Sequence, residues 1–165
     1  MLTLILVRHA KTEQLAFGST ISDFERELKP RGYEDTKLIA QTFIEKGIKP
    51  NVLITSKAVR AEQTASLLTQ ELGVDHIVGE QFIYDGYTTS EFIEYLGQYP
   101  KEKRIIMVVG HNPEIAMMAT NLSNSDYLHF PTAGSAAISF NKENWKDINA
   151  REGKLEWLIS PKMKK

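Results

Sequence analysis

The chain has 165 residues, of which 42% are hydrophobic and 25% charged, with a formal net charge of −1 and no cysteine. That length suits one domain spanning residues 1–165, and the composition is ordinary for a soluble globular protein. The balanced charge excludes the sustained basic field that nucleic acids or membrane surfaces require, and the missing cysteines exclude disulfides and a thiolate nucleophile.

The first apolar run, Leu2 to Val7, reads as a strand buried on both faces and ends in Arg8-His9-Ala10. It is too short for the apolar core of a signal peptide. No later run approaches the ~20 apolar residues of a membrane span. A cytoplasmic protein without membrane or nucleic-acid contacts is expected.

A long polar connection, Lys11 to Lys29, follows; loops of this length usually carry function. Pro30 suits a first helical position, with Leu38, Ile39, Phe43 and Ile44 on an apolar face and Gly47 as the stop. A second strand, Val52 to Thr55, leads through Ser56 to Arg60 at the start of a helix whose apolar face carries Ala61, Ala65, Leu68 and Leu72 before Gly73. A weaker strand is expected at Ile77 to Val78 and a connection from Glu80 to Asp85. Thr89 or Ser90 could cap a helix bearing Phe92, Ile93 and Leu96.

The run Ile105 to Val109 then reads as a strand ending in Gly110-His111-Asn112-Pro113, with Pro113 opening a helix that carries Ile115, Met118, Ala119 and Leu122. Two final strands, Ala136 to Phe140 and Leu155 to Ile159, lie close enough in sequence to pair antiparallel. Alternating strands and helices predict an α/β fold: a three-layer α/β/α sandwich whose central sheet is mostly parallel, with an antiparallel strand pair near the C-terminus. In such sheets ligands bind at the carboxyl ends of the strands, so Arg8, His9, Arg60 and His111 are predicted to share one rim.

These residue types suit a phosphoryl group. The planar guanidinium fork meets phosphate oxygens bidentately and stays charged, while a neutral imidazole can attack phosphorus through one nitrogen as a hydrogen bond on the other fixes its tautomer. Phosphoryl transfer asks mainly for positioning and for positive charge around the equatorial oxygens. Two arginines and a second histidine would supply that charge without a metal, so no cofactor is expected. No short-range ligand pair such as His-Glu-x-x-His supports a metal site, and no phosphate-cradling Gly-x-x-x-x-Gly-Lys loop or Gly-x-Ser-x-Gly elbow occurs.

Arg8-His9-Ala10, the segment Asp23 to Gly32, the stretch Ser56 to Thr64 and Gly110-His111-Asn112-Pro113 together resemble the signature blocks of the histidine phosphatase (phosphoglycerate mutase-like) superfamily. The closest look is to its small bacterial SixA-type phosphohistidine phosphatases. The resemblance implies that His9 becomes phosphorylated and that Arg8, Arg60 and His111 form the phosphate pocket. It implies further that Arg26 completes that pocket and that Asp85 gives a proton to a phosphoester's leaving oxygen. The usual glycine after Arg-His is Ala10 here, so the turn must be one that alanine tolerates. The long insertion by which mutases cover their site is missing, which argues against a bisphosphoglycerate-dependent mutase.

Each assignment has a plainer alternative. Arg26 sits in a run with Asp23, Glu25 and Glu27 that reads equally as a solvated charged face. Asp85-Gly86 is a turn dipeptide, His111 could cap the next helix, and His76 and His129 read as surface and structural residues. Three functions are open: a phosphatase for phosphohistidine on a protein, a phosphatase for small phosphorylated metabolites by the same chemistry, and a non-catalytic phosphate-binding module.

Overall fold

The computed structural model describes residues 1–164. Its strands are β1 (Leu2–Arg8), β2 (Val52–Ser56), β3 (Ile77–Glu80), β4 (Ile105–Gly110), β5 (Ser135–Phe140) and β6 (Lys154–Ile159). They form one sheet in the order β3-β2-β4-β1-β5-β6. The first four of that order run parallel, with Arg8 opposite Gly110 at the carboxyl ends of β1 and β4. β5 runs antiparallel to β1, and β6 antiparallel to β5, so the expected pair forms one edge.

The helices are α1 (Pro30–Glu45), α2 (Val59–Leu72), α3 (Phe82–Asp85), α4 (Thr89–Leu96) and α5 (Glu114–Leu122). Successive residues of a strand face opposite sides, and β1 shows the rule directly. Leu2, Leu4 and Leu6 pack with Phe92, Leu96, Ile115 and Met118, whereas Ile5 and Val7 pack with Ile39, Phe43, Ala65 and Leu68. Both faces of the sheet are therefore covered, which explains why β1 and β4 read as unbroken apolar runs rather than alternating ones.

Local signals place the ends. Pro30 occupies the first turn of α1, and Gly73 closes α2 at φ 69°, in the left-handed region, with its N–H donating to Thr69 O at 2.9 Å. Gly32 has a different role: a Cβ there would lie 2.4 Å from the carbonyl oxygen of Lys11, so only glycine lets α1 approach the segment after His9.

Four details differ from expectation. Thr88, not Thr89 or Ser90, caps α4: its hydroxyl accepts from Glu91 N–H at 3.1 Å while the Glu91 carboxylate accepts from Thr88 N–H at 2.9 Å. The Glu80–Asp85 connection contains one helical turn, α3. Pro113 flanks α5 rather than forming its first residue. β3 runs to Glu80, two residues beyond the expected Ile77 to Val78. Lys162 is exposed in a short turn, Pro161–Lys164; Lys165 is outside the described residues.

The polar segment between β5 and β6 holds a fully buried tryptophan, Trp145, whose indole N–H donates to Lys103 O at 2.6 Å and whose ring packs on Phe140. Trp145→Ala is predicted to lower the free energy of unfolding by about 3–5 kcal/mol, measured by chemical denaturation. A loss below about 1 kcal/mol would mean that the segment is not part of the core.

Candidate active site

The pairing of Arg8 with Gly110 fixes where the two histidines emerge, because each is the next residue of its strand. Their ring centroids lie 5.1 Å apart. His9, His111 and Arg60 are each less than 9% exposed. Arg60 comes from the first turn of α2 and Arg8 from the last residue of β1, so three elements, β1, β4 and α2, converge on the rim that the sequence predicts.

The tautomer of His9 follows from its neighbour. A carbonyl can only accept, so the contact of 2.8 Å between Nδ1 and Ala10 O puts the ring hydrogen on Nδ1 and leaves the Nε2 lone pair free. Arg60 Nε–H donates to that nitrogen at 3.3 Å. Burial, opposed by the Ala10 contact but joined by His111, Arg60 and Arg8, pushes the His9 pKa down to about 3. The imidazole is neutral at physiological pH, as a nucleophile must be.

His111 is held from the end of β2. Ser56 Oγ accepts from Ala58 N–H at 3.1 Å and lies 2.8 Å from His111 Nε2, so its own hydrogen is free to donate to that ring nitrogen. When the hydroxyl donates to Nε2, Nδ1 carries the ring hydrogen; when Nε2–H donates to Oγ, Nδ1 holds the lone pair. Burial, and then the charge of Arg60, lowers the His111 pKa to about 4. Arg8 Nη1 donates to Phe130 O at 3.0 Å, and burial followed by Arg60 lowers the Arg8 pKa. The turn after β1 is held by Ala133 N–H, 3.1 Å from both Arg8 O and His9 O, and by Ala10 N–H, which donates to Thr64 Oγ1 at 3.1 Å. Ala10 is not among the residues with positive φ, so alanine suits this turn.

Arg26 reaches the same cluster through Asp23. Its Nε lies 3.1 Å from Asp23 Oδ1, an ion pair without hydrogen-bond alignment. Asp23 also accepts from Arg60 and from the Tyr84 hydroxyl, at 2.9 Å. Burial alone would raise its carboxyl, but Tyr84, Arg60 and Arg26 together hold it below the ordinary carboxylate value. Tyr84 stands edge-on to His111 with centroids 5.6 Å apart. Asp85 takes the other direction: it is exposed and accepts from Gln81 at 3.1 Å, at the end of α3. The structure thus brings Arg8, His9, Arg26, Arg60 and His111 together and leaves Asp85 outside their contacts.

Ser56, Asp23 and Tyr84 were not singled out as site residues from the sequence. Ser56 carries a positional signal, since it ends β2 on the same rim. Arg8 Nε, Arg26 Nε and His111 Nδ1 are buried without a hydrogen-bond partner. Such groups are costly unless an acceptor meets them, and a tetrahedral oxyanion supplies several. Among the described residues, no group of three His, Asp or Glu side chains could hold a metal ion.

A family model, histidine phosphatase superfamily (branch 1), matches residues 4–83. The structure of the protein histidine phosphatase SixA complexed with tungstate superposes with a TM-score of 0.85 at 20% identity, covering 99% of this chain and 100% of that one, and so shares the fold. A 2,3-bisphosphoglycerate-dependent phosphoglycerate mutase of Thermobifida fusca is 34% identical over 47% of this chain and 31% of its own length. The mitochondrial serine/threonine-protein phosphatase Pgam5 of Drosophila grimshawi is 25% identical over 94% of this chain, which spans 57% of that protein.

The depressed histidines have a thermodynamic consequence. Below the ordinary value of 6.5 the unfolded chain takes up protons that folded His9 and His111 refuse, so their contribution to stability is complete above that pH and is lost on acidification. Thermal melts are expected to be nearly constant above pH 7 and to fall between pH 6.5 and about 5, with a smaller fall in His9→Gln. A wild-type midpoint that does not move in that window would contradict the buried neutral pair.

Proposed function

From a chain whose residues 4–83 match the histidine phosphatase superfamily model and which folds like SixA, we propose a metal-independent phosphatase of that superfamily that works through a phosphorylated His9 and removes phosphate from phosphohistidine on a protein. The observation that carries this reading is the His9 ring itself: Nδ1–H tied to a carbonyl, Nε2 unprotonated and accepting from Arg60, the whole imidazole held neutral.

In the proposed reaction His9 Nε2 attacks phosphorus in line as the bond to the leaving nitrogen breaks. The developing charge on the His9 ring is met by the Ala10 carbonyl at Nδ1–H. Charge on the equatorial oxygens is met by Arg8, Arg60 and, in its Nδ1–H tautomer, His111, with Arg26 at the margin. The substrate's imidazole arrives already protonated from solvent on the nitrogen that does not carry phosphorus, so when the P–N bond breaks it departs as a neutral ring. Water then attacks phosphorus from the vacated side, Nε2 departs, and inorganic phosphate and neutral His9 result.

The carboxylate beside the pocket bears on the substrate class. Asp23 is bound by Arg60, Arg26 and Tyr84 and kept ionised, so it is poorly suited to protonate an alkoxide leaving group. Phosphohistidine makes a weaker demand, because its imidazole nitrogen leaves readily once protonated. The second reading, hydrolysis of small phosphorylated metabolites, is favoured by the likeness to a phosphoglycerate mutase and requires Asp85 to donate the proton. A cytoplasmic setting is part of the proposal and rests on the composition alone.

Rapid acid-free quenching during turnover should trap phosphate on His9 as a species that survives alkali and is lost in acid, and His9→Ala should abolish turnover; comparable turnover by that variant would refute the mechanism. Arg60→Ala is expected to lose on the order of 10²-fold in rate, while a chelator leaves the rate unchanged. Full inactivation by chelation, reversed by one divalent metal, would overturn the metal-independent chemistry. A side-by-side assay of Asp85→Asn divides the two substrate classes. If Asp85 donates a proton, phosphoester cleavage falls by about 10²–10⁴-fold and phosphohistidine cleavage hardly at all.

A further inference from the structure

Asp23 sits in a short turn, Asp23–Glu25, within the long connection between β1 and α1. Ser22 and Glu25 brace that turn: Ser22 N–H and Oγ–H both donate to Glu25 Oε1 at 3.0 Å. Its side chain is 49% exposed, yet both carboxylate oxygens are engaged. Oδ2 accepts from Arg60 Nη2 at 3.1 Å and from the Tyr84 hydroxyl at 2.9 Å, Oδ1 pairs with Arg26, and the backbone carbonyl accepts from Arg60 Nη1 at 2.7 Å.

A guanidinium has two bidentate edges: the end formed by Nη1 and Nη2, and the side formed by Nε and Nη2. Asp23 occupies the end, through its carbonyl and its carboxylate. The side is thereby turned to His9, where Nε–H already points at Nε2 at 3.3 Å. A phosphoryl group on Nε2 would meet that edge, its oxygens replacing Nε2 as the acceptor of Nε–H. Asp23 and the phosphoryl group therefore use different edges of Arg60 and do not compete.

We infer that Asp23, braced by the Tyr84 hydroxyl, is a positioning residue that orients the side edge of Arg60 toward the phosphoryl group on His9. The inference deepens the proposed phosphatase mechanism and rests on it for its catalytic meaning. Tyr84 ties the brace to the rest of the pocket, since its ring stands edge-on to His111, stacks edge-on with Phe24 at 4.9 Å and lies 5.9 Å below the Arg60 guanidinium. A half-exposed ion pair contributes little to stability, so the value of this contact lies in geometry.

The test is a double-mutant cycle between Asp23→Ala and Arg60→Ala, read both as kcat and KM and as affinity for inorganic phosphate by calorimetry. Asp23→Ala is expected to lower kcat on the order of 10- to 100-fold with KM changed far less, and to weaken phosphate binding. In the Arg60→Ala background the same substitution should change neither quantity, because the residue it orients is gone. Asp23→Asn should lie between, and Tyr84→Phe should give a smaller loss that disappears when Asp23 is already alanine. Tighter phosphate binding by Asp23→Ala would show a competitor rather than a positioner, and equal losses with and without Arg60 would show an independent role; either overturns the inference. If the wild type turns over no phosphorylated substrate but the binding cycle remains non-additive, the phosphatase reading fails while the positioning role stands.

Discussion

The rim carries more positive charge than its surroundings neutralise, and the remaining features of the site answer to that excess. Arg8 and Arg60 lie close enough to depress each other's neighbours, and burial strengthens each interaction. Burial disfavours a proton on either histidine, and the excess disfavours it further, so both rings stay neutral. The groups that offset the charge are mainly dipoles: the carbonyls of Phe130, Ala10 and Asp23, and the Ser56 hydroxyl. The Asp23 carboxylate is the full negative charge in contact with Arg60. A dianionic phosphoryl group entering such a site meets charge that is already oriented and needs little reorganisation, which is the condition under which electrostatic stabilisation of a transition state is largest.

That arrangement persists because its two histidine-bearing elements are strand ends in the middle of the sheet. β1 and β4 are neighbours covered on both faces, so the separation of His9 and His111 is fixed by backbone pairing. Arg60 and Ser56 come from the end of β2 and the first turn of α2, one strand further out. Asp23, Arg26 and Tyr84 come instead from connections. The site thus divides into strand-end residues that carry the proposed chemistry and residues on connections that are proposed to aim it, consistent with binding groups being carried on loops above a fixed scaffold.

The same division explains what the sequence revealed. The strands and both histidines were legible because a doubly covered strand must be continuously apolar, and because ligand sites in open sheets lie at strand ends. Apart from the family resemblance, Arg26 was readable only as one charge among Asp23, Glu25 and Glu27, since nothing in a run of four charges says which of them turn inward. The fold decides it: the short turn at Asp23–Glu25 directs Asp23 and Arg26 to the pocket and spends Glu25 on Ser22. Asp85 follows β3 at the expected distance, but the single turn of α3 points its neighbour Tyr84 at His111 and leaves Asp85 with Gln81. Trp145 escaped notice because an isolated aromatic in a polar stretch has no periodicity to mark it.

The placement of acid and base around the rim bears on what kind of bond the site is built to cleave. A phosphoester needs a proton delivered to oxygen as the bond breaks, so a carboxyl should stand near the leaving group with its pKa raised by burial or by a like charge. Here the carboxylate in contact with the pocket experiences the opposite, two guanidinium groups and a phenol that all favour its ionised form. An ionised Asp23 cannot give a proton, but it can hold Arg60, and each contact that fits it for the second task unfits it for the first. A phosphoramidate makes the matching demand: its leaving imidazole can carry its own proton, and the protein need only supply a nucleophile and a cradle of positive charge. That correspondence between a pocket poor in proton donors and a leaving group that can arrive already protonated links the geometry of Asp23 to the proposed phosphohistidine substrate.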